Sequence, residues 1–172
     1  MTTTTTNASA LEKKLKKINR DITLLTHAVG IMEVDGWFGG APTTDGLSKC
    51  EVDSTFGHET YKETICADGG AVCAGVAIHV AAYQYATDKR WNLARKQRLV
   101  DNTLDLFCEK LDLTIEPNGL FRGIARWNDT SGVDYEQVKA GFATVLQKLT
   151  ADKWKIVSKL RDLGKMTSMS QV

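Results

Sequence analysis

Residues 72–86 read Val-Cys-Ala-Gly-Val-Ala-Ile-His-Val-Ala-Ala-Tyr-Gln-Tyr-Ala. Small and apolar side chains occupy nearly every face of this run: Val72, Ala74, Val76, Ala77, Ile78, Val80, Ala81 and Ala82. A helix that is apolar all round is covered on most sides by its neighbours. The stretch is therefore expected to be the central helix of an all-α domain, with the rest of the chain supplying the helices that cover it.

Upstream, Leu11, Leu15, Ile18, Ile22, Leu25, Val29 and Met32 step alternately by four and three, behind Ser9 and Glu12 at capping-box spacing. This pattern predicts an N-terminal amphipathic helix over residues 9–35, stopped by Gly36. Lys13, Lys14, Lys16, Lys17, Arg20 and Asp21 lie between the apolar positions and give the helix a solvated back. Its narrow stripe has two readings, packing on the chain's own core or zipping to a second subunit in a homo-oligomer. Residues 1–8, rich in threonine, are expected to form a disordered tail.

Downstream, Leu93, Val100, Leu104, Phe107 and Leu111 predict another amphipathic helix, followed by a turn at Pro117-Asn118-Gly119. Asp134 and Gln137 form a second capping box, opening a helix through Val138, Phe142, Val145 and Leu149. Ile156, Leu160 and Leu163 continue its face beyond an expected kink. Residues 42–70, rich in Thr, Ser, Asp and Gly, read as a long polar loop or small hairpin. The whole is a compact helical domain of four to five helices, with its core over residues 36–165 and a flexible tail at 166–172.

Composition narrows the function classes. At 172 residues and 42% hydrophobic content, one domain can bury a core without metal or disulfide help. Lysine plus arginine total 22 against 21 acidic residues, so the net charge of +1 supplies no overall field for a polyanion or an anionic membrane. That balance weighs against nucleic acid as a partner and confines any such contact to a local patch. The chain has no apolar run of the roughly 20 residues a membrane span needs, and its four cysteines, Cys50, Cys66, Cys73 and Cys108, suit a reducing compartment. A cytoplasmic protein with no membrane partner is expected.

Two groups of residues could carry chemistry. Cys73 follows Gly69-Gly70 at the start of the central helix, where amides and the helix dipole stabilise a thiolate. As a nucleophile it would need His58 or His27 as base and Asn128 or Asp129 as orienter; His79 lies about 9 Å further along the same helix. The competing reading is a small buried thiol that permits close packing. Cys50, His58, Cys66 and Cys73 could also hold a zinc ion, but they lack the tight pairs of common structural sites, and neither metal nor cofactor is expected. His58-Glu59-Thr60 resembles half of the paired element of two-histidine phosphoesterases, and its second half is missing.

The other group is Arg122, Arg126, Asn128 and Asp129 around Trp127, with Trp37 beside Gly39 and Gly40 as a further aromatic surface. Aromatic planes with arginine and acid or amide groups suit a small polar or nucleotide-like ligand. The alternative is that both tryptophans fill the core while Asn128 and Asp129 cap a helix or turn. The basic cluster Lys89, Arg90, Arg95, Lys96 and Arg98, which contains Trp91, reads as a solvated helix face.

Four segments in this order resemble an uncharacterised family of small bacterial and phage domains: Gly36-Trp37-Phe38-Gly39-Gly40-Ala41, Gly70-Ala71-Val72-Cys73-Ala74-Gly75-Val76-Ala77, Ile124-Ala125-Arg126-Trp127-Asn128-Asp129, and the capped helix from Asp134. The resemblance spans residues 24–149, and the 42–70 segment is longer than in related chains. It implies a helical fold and groups Trp37, Cys73 and Trp127 to Asp129, but it carries no activity. The expected function is a non-enzymatic binding module, phage- or mobile-element-encoded, that holds a small polar or nucleotide-like ligand, with sequestration of a host immune signalling nucleotide as one use of it. A Cys73-dependent or phosphoester hydrolase and a protein-binding adaptor acting through the N-terminal helix are the alternatives.

Overall fold

The protein is described by a computed structural model that covers residues 3–37, 73–113, 124, 127–128 and 133–164. Four long helices carry the fold: α1, Thr3–Asp35; α2, Ala74–Asp88; α3, Leu93–Lys110; and α4, Tyr135–Asp162. Their principal contacts close into a ring. α1 packs on α2 and α4, α2 packs on α3, and α3 packs more lightly on α4. Trp37, just past the end of α1, stacks on Tyr135 at the start of α4, while Leu11 and Lys14 of α1 line a groove with Lys159 and Leu163 beyond. These two contacts set α1 and α4 antiparallel.

α2 is the central helix that its composition predicts. Ala74, Gly75, Val76, Ala77, Ile78 and His79 are consecutive and all buried, followed by Ala81, Ala82 and Ala86. Alanine and glycine at these positions let the neighbouring backbones approach on several sides, which larger side chains would prevent.

α1 begins at Thr3 and not after Ser9, so Ser9 and Glu12 lie inside the helix and form no capping box. The expected tail at residues 1–8 is helical from Thr3 onward. The end is as expected: Gly36 takes a φ of +86°, the left-handed conformation that terminates helices and that glycine adopts without a Cβ penalty. The apolar face is broader than the heptad seam implied. Leu24, Leu25, Ala28, Ile31 and Met32 are buried, whereas Ile22 and Val29 of the seam are only partly covered. Positions spaced i, i+1, i+4, i+7 and i+8 make the wide face of a core helix, and α2 and α4 of the same chain cover it.

Asp21, read from sequence as part of the solvated back, is only 3% exposed. Arg20 makes that tolerable by donating from Nε at 3.0 Å and Nη2 at 2.8 Å to the same carboxylate oxygen.

α3 starts on Asn92, whose side chain accepts from the Arg95 amide at 3.0 Å. Its buried face is Leu99, Val100, Thr103, Leu104, Phe107 and Cys108, and Leu93, expected on that face, is 66% exposed. Leu93 stands on the first turn, ahead of the part of α3 that the core covers. The α4 capping box is present in full: the Gln137 amide donates to Asp134 Oδ1 at 2.8 Å, and the Asp134 amide donates to Gln137 Oε1 at 3.0 Å. α4 then runs unbroken for 28 residues in place of the expected kink, burying Val138, Phe142, Val145, Leu149, Ile156, Val157 and Leu160. Lys110 clasps α3 to α4 through Asp152 at 2.9 Å, and this contact holds the Asp152 carboxyl below its usual range.

No described helix is long and apolar enough to cross a membrane. The residues expected to form the 42–70 loop and the 166–172 tail lie outside those described.

Candidate functional site

Asn128 joins the segments that the sequence had singled out. It is 1% exposed, and its Oδ1 accepts two hydrogen bonds, from Trp37 Nε1 at 2.9 Å and from the Ala74 backbone amide at 3.1 Å. The first partner is 91 positions away in sequence and the second 54. One amide oxygen therefore ties the end of α1 to the start of α2. Ala74 is the first residue of α2, so its amide has no partner within the helix and needs one from outside. The helix carries no side-chain cap of its own, because Cys73 occupies the N-cap position without making such a bond. Asn128 supplies the missing acceptor.

Cys73 is 1% exposed, with extended backbone angles and its carbonyl accepting from the Ala77 amide at 2.9 Å. A sulfur buried to this extent has the exposure of a core side chain and not that of a reactive thiol. Among the described residues no group of three or more His, Cys, Asp or Glu side chains could hold a metal. Cys50, His58 and Cys66, the other members of the candidate zinc set, lie outside the described residues, as do Arg122, Arg126 and Asp129.

Trp127 belongs to an aromatic cluster of the core. Its ring centroid lies 5.7 Å from Phe107, which in turn sits 4.6 Å from Phe142. The indole lies against Gly141 so closely that a Cβ there would meet two of its ring carbons at 2.7 and 2.8 Å. This face of Trp127 is occupied by the protein itself.

Trp37 is different. It is half-buried, its N–H is fixed by Asn128, and its ring stacks on Tyr135 with centroids 5.9 Å apart and planes 23° from parallel. Tyr135 was not singled out in the sequence. Its one signal is an aromatic residue directly after the capping Asp134, and nothing in the spacing connects it to Trp37.

Around the pair stand three charges. Lys139 lies over the Tyr135 ring at 4.8 Å and pairs with Glu136 at 2.6 Å, while Glu33 contributes a further carboxylate. Burial, with the Glu33 charge, pushes the Tyr135 hydroxyl above its ordinary value against the opposing pull of Lys139. The hydroxyl thus stays a hydrogen-bond donor throughout the neutral range. Its oxygen is shielded from solvent and has no hydrogen-bond partner among the described residues.

The comparisons with known proteins agree with this picture of a shared framework without a named activity. The chain belongs to DUF6197, a family of unknown function, whose model matches residues 18–147. That match takes in most of α1, all of α2 and α3, and the first half of α4. No curated protein and no solved structure matches the chain.

Proposed function

We propose that this member of a family of unknown function is a non-enzymatic binding module whose ligand seats on the Trp37–Tyr135 pair. The observation that carries the proposal is the Tyr135 hydroxyl, a shielded donor without a partner among the described residues, beside an aromatic pair held in place by Asn128. Buried polar groups are almost always hydrogen-bonded, and one without a partner asks for an explanation. A small polar, nucleotide-like ligand would supply a flat ring for Trp37, since Tyr135 is already covered by Trp37 and Lys139, and an acceptor for the Tyr135 hydroxyl. Lys139 adds a cation at the rim. In a cytoplasmic setting such a module would sequester a nucleotide without turning it over.

A hydrolytic role through Cys73 receives less support, because its sulfur is buried against the core.

Melting curves recorded against a panel of mono-, di- and cyclic nucleotides test the proposal. At least one member should raise the melting temperature in proportion to the logarithm of its concentration, since a ligand bound only by the folded state stabilises by mass action. Trp37→Ala should abolish that shift and Tyr135→Phe should shrink it. A panel that leaves the wild-type melting temperature unmoved at millimolar concentration overturns the reading.

A further inference from the structure

The corner between α2 and α3 lies apart from the Trp37–Tyr135 site. Residues 87–98 hold five cations, Lys89, Arg90, Arg95, Lys96 and Arg98, against a single acid, Asp88. Three of the five are held by aromatic rings. The Arg95 guanidinium lies 3.8 Å from the Trp91 ring centroid, the Lys96 ammonium 4.6 Å from that of Tyr83, and the Lys89 ammonium 5.6 Å from that of Tyr85. Lys96 also donates to Thr87 Oγ1 at 2.9 Å, and Tyr85 meets Trp91 edge-on. Among the described residues none of the five makes an ion pair.

Rings position these cations without neutralising them. A guanidinium over an indole face keeps its charge and N–H donors, whose forked geometry matches two phosphate oxygens, and Arg95 is exposed to solvent.

Two further features run against local stability. Arg95, Lys96 and Arg98 occupy the first turns of α3, the positive end of its dipole, where carboxylates are favoured and cations are not. Arg90 takes a φ of +55° at the turn that ends α2, closed by the Trp91 amide donating to the Ala86 carbonyl at 3.0 Å and the Arg90 amide donating to the Thr87 carbonyl at 2.8 Å. That position favours glycine. The equivalent turn after α3 uses Asp112 at φ +56°, a residue type that tolerates the left-handed region better than arginine does. The cations on the first turns of α3 and the side chain at the left-handed Arg90 position thus stand where acidic or neutral residues and glycine would suit the backbone better, whereas the charges of Lys89 and Arg90 lie at the C-terminal end of α2, which its dipole favours.

From these features we infer that the α2–α3 corner is a sequence-independent landing surface for the backbone phosphates of a nucleic acid. Repeating phosphates match several outward cations on one corner, and aromatic faces already covered by those cations leave no surface for reading bases. The chain's near-neutral charge restricts the contact to this patch.

Anisotropy of a fluorescein-labelled oligothymidylate, titrated with the full chain between about 50 and 200 mM salt, tests the inference. The logarithm of the association constant should fall linearly with the logarithm of salt concentration. Arg95→Ala should weaken binding roughly three- to tenfold and reduce the slope by about 0.7, the value of one single-strand phosphate contact. Arg90→Gly should weaken it similarly while raising the melting temperature, because glycine relieves the left-handed backbone. Lys13→Ala with Lys17→Ala, on the exposed side of α1, should leave binding unchanged. The inference is overturned if the oligonucleotide does not bind at the lowest salt, if the α1 lysine pair weakens binding as much as Arg95→Ala, or if Arg90→Gly lowers the melting temperature and spares binding. It is equally overturned if polyglutamate of equal charge displaces the label as well as unlabelled oligothymidylate, which would point to an acidic protein partner.

Discussion

Gly141 sits in the interior of α4, where glycine costs about 1 kcal/mol relative to alanine in helix propensity. Trp127 explains its presence, since the indole occupies the space where a Cβ would stand. The ring is rigid and backed by Phe107, so it cannot yield cheaply. Gly141→Ala should therefore destabilise the protein by about 1–3 kcal/mol in urea denaturation despite the helix-propensity gain. A neutral or stabilising result would show that Trp127 does not pack as described.

Cys108 gives a pH-dependent prediction at the same scale. Its thiol is buried, and burial with the nearby Asp105 charge pushes it from 9.0 to about 11. Below pH 9 both folded and unfolded chains keep the proton, so the contribution of the neutral buried thiol is complete. Between the two values only the unfolded chain ionises, and stability falls by about 1.4 kcal/mol per pH unit, roughly 2–3 kcal/mol in all. Denaturation series from pH 8 to pH 11 for the wild type and Cys108→Ala should diverge in slope by that amount. Parallel slopes would contradict the assignment.

Among the elements, those governed by local rules could be read directly from the chain. The α4 start at Asp134 and Gln137, the stop at Gly36 and the all-round apolar α2 depend on neighbours within a few residues. The width of the α1 face was harder to read. A 3.5-residue seam and a 3.6-residue face share most of their positions over four turns, and what separates them is the coverage of Leu24, Ala28 and Ile31, which only the packed partners reveal. Asp21 escaped for a similar reason, because a buried carboxylate with an adjacent Arg20 has the same local pattern as a solvated pair. Tyr135 was invisible as a site residue, since it meets Trp37 only when α1 and α4 pack antiparallel.

At the scale of the molecule, the sequence grouping of Trp37, Cys73 and Trp127-Asn128 proved to be a physical one. The alternative that Asn128 caps a helix describes its bond to Ala74, and the same oxygen also holds the Trp37 N–H. Adjacent residues thus do different structural work: Trp127 fills the core, and Asn128 holds the tryptophan that stacks on Tyr135. The ring of four helices brings these positions to the end where α1 finishes and α2 and α4 begin. The basic corner lies where α2 ends and α3 begins, so it can be tested independently of the aromatic site.

Asn128 is the shared acceptor that joins the ends of α1 and α2, and equilibrium urea denaturation of Asn128→Ala tests that role most directly. Two donors, the Trp37 indole N–H and the buried Ala74 amide, would lose their partner at once, and the predicted loss is about 2–4 kcal/mol with an unchanged denaturant slope. A loss below about 0.5 kcal/mol, the size of an ordinary surface substitution, would contradict the claim that this residue binds the three segments into one site.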